Sequence, residues 1–120
     1  MKLYIDDIRD APEGYTLVRE VNEAINFIDM YRYELKEVSL DHDISLEVEV
    51  GGVYRPFPSP ETYRAVARYI REVYKTTPER QPQIILHSSN PDGRAAMRAI
   101  LAGYNIEDRP AGAAFRTNKK

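Results

Sequence analysis

The chain has no cysteine and no tryptophan. Disulfides and thiolate metal sites are therefore excluded, and a reducing compartment, the cytoplasm, is the expected one. No apolar run approaches the roughly 18 residues that a membrane span requires. The N-terminal stretch already reaches the charged "DDIRD", so neither a signal peptide nor a membrane anchor is expected. Charge of one sign is also lacking: 17 basic residues against 19 acidic ones leave a net −2. That balance offers no global attraction to nucleic acid, and any such contact would need a local basic patch. Histidine occurs only twice, which makes its positions informative.

What is present is a 42% hydrophobic content over 120 residues, enough for a single domain spanning residues 1–120 with its own core. "KLYI" (Lys2 to Ile5) and "TLVRE" (Thr16 to Glu20) read as strands, with Pro12 and Gly14 punctuating the link. From Asn22, placed to cap, Ala24, Ile25, Ile28, Tyr31 and Leu35 fall at helical spacing. "EVSL" gives a third strand. "SPETYRAVARYIREVYK" then predicts a helix with Ser59 as cap and Pro60 at its first position, burying Tyr63, Val66, Ala67, Ile70, Val73 and Tyr74. "QIILHSS" (Gln83 to Ser89) is the fourth strand. "NPDGRAAMRAILAGY" repeats the start signal with Asn90 as cap and Pro91 first, and ends at Gly103. Apolar strands alternating with amphipathic helices predict an α/β fold with a parallel sheet covered on both faces. Between the third strand and its helix, residues about 45–58 alternate apolar and acidic residues around Gly51-Gly52, the pattern of a β-hairpin arm, a surface decoration or a lid or homodimer contact. The tail, about 105–120, is expected to add a short edge strand around Ala113 to Arg116 before fraying.

In an open parallel sheet, ligands bind outside the carboxyl ends of the strands, where strand order reverses. Asp6 and Asp7 follow strand one, Asp41, His42 and Asp43 follow strand three, and His87, Ser88, Ser89 and Asn90 follow strand four. With strand order 2-1-3-4 these groups share one edge. Carboxylates crowded together repel unless a cation sits among them, and hard oxygen ligands suit Mg²⁺; Asp6, Asp7 and Asp41, with Asp43 beside them, are the candidate ligands. Nitrogen from His42 and His87 would instead make a transition-metal site. Asn90 to Gly93 opens a helix whose first N–H groups could cradle phosphate, with Gly93 permitting close approach and Arg94 as a clamp. His42 and His87 together could supply the acid and base that opening a cyclic phosphate needs, although a regular strand would point His42 away from Asp41 and Asp43. A basic stripe, Arg64, Arg68, Arg71 and Lys75, extended by Arg94 and Arg98, could follow an RNA backbone or be plain solvated surface.

"LYIDDIRDAPEGY", "TLVREVNEAI", "VSLDHD" and "ILHSSNPDGRAAM" resemble the cyclic-phosphate processing receiver domain family over most of residues 2–101. The resemblance implies a three-layer receiver-like (flavodoxin-like) α/β/α fold, with Asp6 and Asp7 as metal ligands, Asp41 in the phosphoacceptor position and Ser88 near the hydroxyl position of strand four. Arg9, in the Ile-Arg pair after the acids, joins Ser88, Asn90, Gly93 and Arg94 as a phosphate-binding candidate. The expected activity is metal-assisted processing of a cyclic phosphate on a nucleotide or RNA end, and the alternative is a phospho-accepting or purely binding signalling module. Two features depart from the receiver pattern: the helix between strands one and two is missing, and no fifth strand with its lysine is evident.

Overall fold

The computed structural model describes residues 1–110, with residues 45–50 and 54–60 described by their backbone alone. In chain order the elements are β1 (Lys2–Ile5), β2 (Thr16–Val18), α1 (Val21–Tyr31), β3 (Glu37–Leu40), β4 (Asp43–Val50), β5 (Val53–Thr62), α2 (Arg64–Val73), a 3-10 turn (Pro78–Arg80), β6 (Gln83–Leu86), α3 (Pro91–Ile100) and β7 (Ile106–Asp108). Five strands form one parallel sheet in the order β2-β1-β3-β6-β7, and β4 and β5 pair separately as an antiparallel hairpin. This is the expected α/β receiver-like architecture.

The short apolar strands become sheet because each has an inward face to bury. Leu3, Ile5, Val38, Leu40, Ile84 and Leu86, alternate residues of β1, β3 and β6, lie in one core with Ala24 and Ile28 of α1, Val66, Ala67 and Ile70 of α2, and Met97 of α3. Full burial of a Leu or Ile side chain contributes about 1.5–3 kcal/mol, so this layer dominates the stability of the sheet. All three described helices therefore sit on the same face. The opposite face presents Tyr4, Ser39 and Ile85, which are mutually in register. All three are buried.

The sheet has five strands, within the four to five expected; the fifth, β7, pairs in parallel with β6 through Ile84↔Ile106 and Leu86↔Asp108, although "IED" is too short and too acidic to announce itself as a strand. Other expectations about elements are corrected. The predicted edge strand at Ala113 to Arg116 lies outside the described residues. Ser59 and Pro60 do not start a helix but belong to β5, and α2 begins five residues after Ser59, at Arg64. They sit at an irregularity of the strand, between the Ser45↔Pro58 and Asp43↔Thr62 pairs, and Thr62 Oγ1 accepts the Arg64 N–H at 3.2 Å. Asn22 does not cap α1, whose cap position is Glu20, and Leu35 is buried in the connection after the helix.

The hairpin arm is longer than the expected 45–58, since its pairing runs from Asp43↔Thr62 to Val50↔Val53. The homodimer contact expected of it falls on side chains at 45–50 and 54–60, outside the described residues. Its base is tied to the domain by the Tyr63 N–H, which donates to the His42 carbonyl at 2.9 Å.

Candidate functional site

Register alone builds the centre of the site. Ile5, Leu40 and Leu86 are direct partners across β1, β3 and β6. The next residue of each strand continues the ladder: the Asp41 N–H donates to Ile5 O at 3.0 Å, and the His87 N–H to Leu40 O at 3.0 Å. Asp6, Asp41 and His87 thus stand side by side at the carboxyl ends, with side chains on the Tyr4, Ser39 and Ile85 face because side chains alternate along a strand. Each offers a ligand atom within 4.8 Å of the others, and all three residues are buried.

Asp6 is fully buried. Its Oδ1 accepts the N–H groups of Ile8 and Arg9, both at 2.8 Å, and its Oδ2 accepts Arg9 Nη1 at 3.0 Å and His87 Nε2 at 2.9 Å. Burial opposes ionisation, but these hydrogen bonds outweigh it and hold the carboxyl down at about 2,. An ionised Asp6 only accepts, so His87 donates through Nε2–H, and its Nδ1 accepts the Ser39 hydroxyl at 2.7 Å,. Burial keeps His87 below its ordinary range despite Asp6. The imidazole is therefore neutral, fixed at both nitrogens and stacked on Tyr4, with ring centroids 4.2 Å apart and planes 4° from parallel.

Asp41 is the opposite case. Burial first, then the charge of Asp6, push its carboxyl up to about 7. A carboxyl raised in this way is suited to accepting and returning a proton near neutral pH. Arg9 Nη1 reaches Asp41 Oδ2 at 3.4 Å as well as Asp6. Arg19 closes the β1–β2 loop over this corner, with Nη1 3.3 Å from Arg9 O.

The remaining candidates form a second network beside the first. Arg64 Nε donates to His42 Nε2 at 2.9 Å, so His42 carries its proton on Nδ1 and donates to Asp43 Oδ1 at 2.7 Å. Asn90 Nδ2 reaches both Asp43 oxygens at 3.3 Å. The His42 ring lies against Gly93. Asp7 and Asp43 stand outside the buried trio, and Asp43 is exposed. The helix N-terminus expected to cradle phosphate is occupied by its own cap, since Asn90 Oδ1 accepts the N–H groups of Asp92 and Gly93. Ser88 is buried, its hydroxyl accepting the Asn90 N–H at 3.1 Å, and Arg94 Nη1 donates to Ser88 O at 2.7 Å.

Ser39, Tyr4 and Arg64 were not read as site residues from the sequence. Ser39 had a usable signal: it is the hydroxyl within "EVSL", two positions before Asp41 and hence on the same face. Arg64 read only as part of a basic stripe. That stripe is largely paired: Arg64 turns to His42, Lys75 meets Glu72 at 3.6 Å, and Arg98 meets Asp108 at 2.6 Å.

Asp6, Asp41 and His87 could hold a metal ion: two carboxylates and an imidazole are a fitting donor set for a divalent cation,. No helix among the described residues is long and apolar enough to cross a membrane. No curated protein and no solved structure matches the chain. A family profile, that of the cyclic-phosphate processing receiver domain, matches residues 1–103. A buried Asp–Asp–His cluster at the carboxyl edge of a receiver-like sheet accords with that match, and the chain belongs to the cyclic-phosphate processing receiver domain family.

Proposed function

We propose that this protein opens a cyclic phosphate on a nucleotide or RNA end by hydrolysis, with Asp41 as its proton carrier. The observation that carries the reading is the convergence of Asp6, Asp41, His87 and Arg9 at one strand-end rim in a chain of this family. In the proposed step a water oxygen bonds to phosphorus while one ring P–O bond breaks. The ionised fraction of Asp41 takes the water proton and returns it to the leaving ribose oxygen, so atoms and charge balance. Asp6 and His87 hold Asp41's surroundings rigid through their shared hydrogen bond, and the nearby cationic Arg9 and Arg94 favour an anionic ligand. Mg²⁺, which Asp6 and Asp41 would hold in place of the Arg9 guanidinium, would offset charge developing on the phosphoryl oxygens when bound. His42, engaged by Asp43 and Arg64, orients the rim in this reading. The absence of cysteine suits a cytoplasmic setting.

Incubation with 2′,3′-cyclic mononucleotides and short RNAs ending in a cyclic phosphate, with and without Mg²⁺, tests the proposal. The expected result is a linear monophosphate product, with turnover reduced about 10²-fold or more in Asp41→Asn. No product from any substrate under either condition would overturn it.

A second reading is favoured by the place of Asp41 at the end of β3, the position that the resemblance assigns to a phosphoacceptor. In that case acetyl phosphate would give an acid-stable, base-labile label on Asp41, lost in Asp41→Asn, without turnover of cyclic phosphates.

A further inference from the structure

Two carboxylates in a buried pocket need a compensating positive charge. An ionised carboxylate has about four lone-pair positions. On Asp6 those positions are met by Ile8 N–H, Arg9 N–H, Arg9 Nη1 and His87 Nε2–H. Both His87 nitrogens are likewise engaged, with Ser39 and Asp6. Among the described residues no buried side-chain nitrogen or oxygen lacks a hydrogen-bond partner. The trio has the donor set of a metal site, yet protein donors already hold the Asp6 and His87 atoms that a metal would need.

Arg9 is the group that makes this so. One of its guanidinium nitrogens contacts Asp6 Oδ2 at 3.0 Å and Asp41 Oδ2 at 3.4 Å, and its side chain is only 13% exposed. Its own backbone N–H binds the other oxygen of Asp6, so the loop and the guanidinium wrap the same carboxylate. Arginine keeps its charge throughout the accessible pH range and suits bridging two carboxylates.

We propose that Arg9 is the resident cation of this pocket, and that its guanidinium and a divalent metal are alternative occupants: a metal binds Asp6 and Asp41 only as Arg9 leaves them. The inference goes beyond the hydrolytic reading and holds whether or not the chain turns over an ester.

Calorimetric titration of the full chain with MgCl₂ and with MnCl₂, alongside thermal melts, tests it in wild type, Arg9→Gln and the double variant Arg9→Gln/Asp41→Asn. Arg9→Gln is expected to bind the metals about tenfold or more tightly than wild type, because the competing charge is gone. Its melting temperature should rise with added metal further than that of wild type. The double variant should lose both gains. Three results would overturn the proposal: Arg9→Gln binding metal no more tightly than wild type, a gain that persists in the double variant, or Arg9→Gln remaining unfolded with either metal present. The last would show that a metal cannot take over the guanidinium's charge. These readouts are separate from turnover, so failure here and failure of the hydrolytic reading are distinguishable.

Discussion

A methyl group at position 93 would lie 2.5 Å from Cγ and 2.6 Å from Nδ1 of His42, closer than carbon atoms tolerate. Gly93 therefore makes room for a protein ring, where the sequence suggested room for a ligand. Because His42 is itself held by Asp43 and Arg64, the ring cannot yield without losing a hydrogen bond. Gly93→Ala is expected to destabilise the fold by about 1–3 kcal/mol through overpacking. It should also shift the ring resonances of His42 as Nδ1 parts from Asp43; urea unfolding and ring ¹⁵N spectra measure the two effects. An unchanged unfolding midpoint would mean that the space at His42 is not limiting. Asp6 and Asp41 make the same point about environment: the same side chain, in neighbouring strands, sits at about 2 in one case and about 7 in the other. Asp6 has four donors, whereas Asp41 has burial and Asp6 against it.

Among the elements, α3 matched its sequence signals best. Asn90 caps it through Asp92 and Gly93, and Pro91 takes the first helical position, where the missing N–H is no loss,. Asn90→Ala should cost about 1 kcal/mol, within the usual range of about 0.5–2 for a lost cap, as read by urea denaturation. A second effect should appear at Asp43, which loses its Asn90 donor. A loss well below that range would show that water replaces the cap without penalty. In α2 the local signal misled, because the Ser-Pro pair that predicts a helix start lies inside β5, between the Pro58 and Thr62 pairings of that strand with β4. Local propensity was decisive only where no partner strand competed.

For the whole molecule, the buried cluster links folding to pH. Asp41, raised to about 7, binds a proton more tightly folded than unfolded. Its contribution therefore falls as pH rises from its ordinary value, about 4, towards 7. Asp6 acts in the other sense: its contribution is present above the ordinary carboxylate value and is lost as pH falls through about 2,. His87, lowered by burial, disfavours folding as pH drops below the ordinary imidazole value. Asp41→Asn isolates the first effect. Its stability relative to wild type should rise by about 3 kcal/mol between roughly pH 4 and pH 7.5, since each tenfold difference in proton affinity between the folded and unfolded chain is worth about 1.4 kcal/mol. Urea unfolding across that window measures the difference, and a pH-independent difference would mean that Asp41 titrates normally when folded.

The sequence by itself determined the alternation of strands and helices, the parallel sheet with β1, β3 and β6 adjacent, and the gathering of Asp6, Asp41 and His87 at one rim. These follow from short-range periodicity and from the rule that parallel strands finish on the same side. Only the tertiary structure decided the partners within that rim. It put His42 with Arg64 and Asp43, placed Arg9 between two carboxylates, set Ser39 against His87, and made a strand of Ile106–Asp108. Those pairings depend on side-chain direction, on burial and on contacts across as many as 81 positions of chain, none of which is written in local spacing.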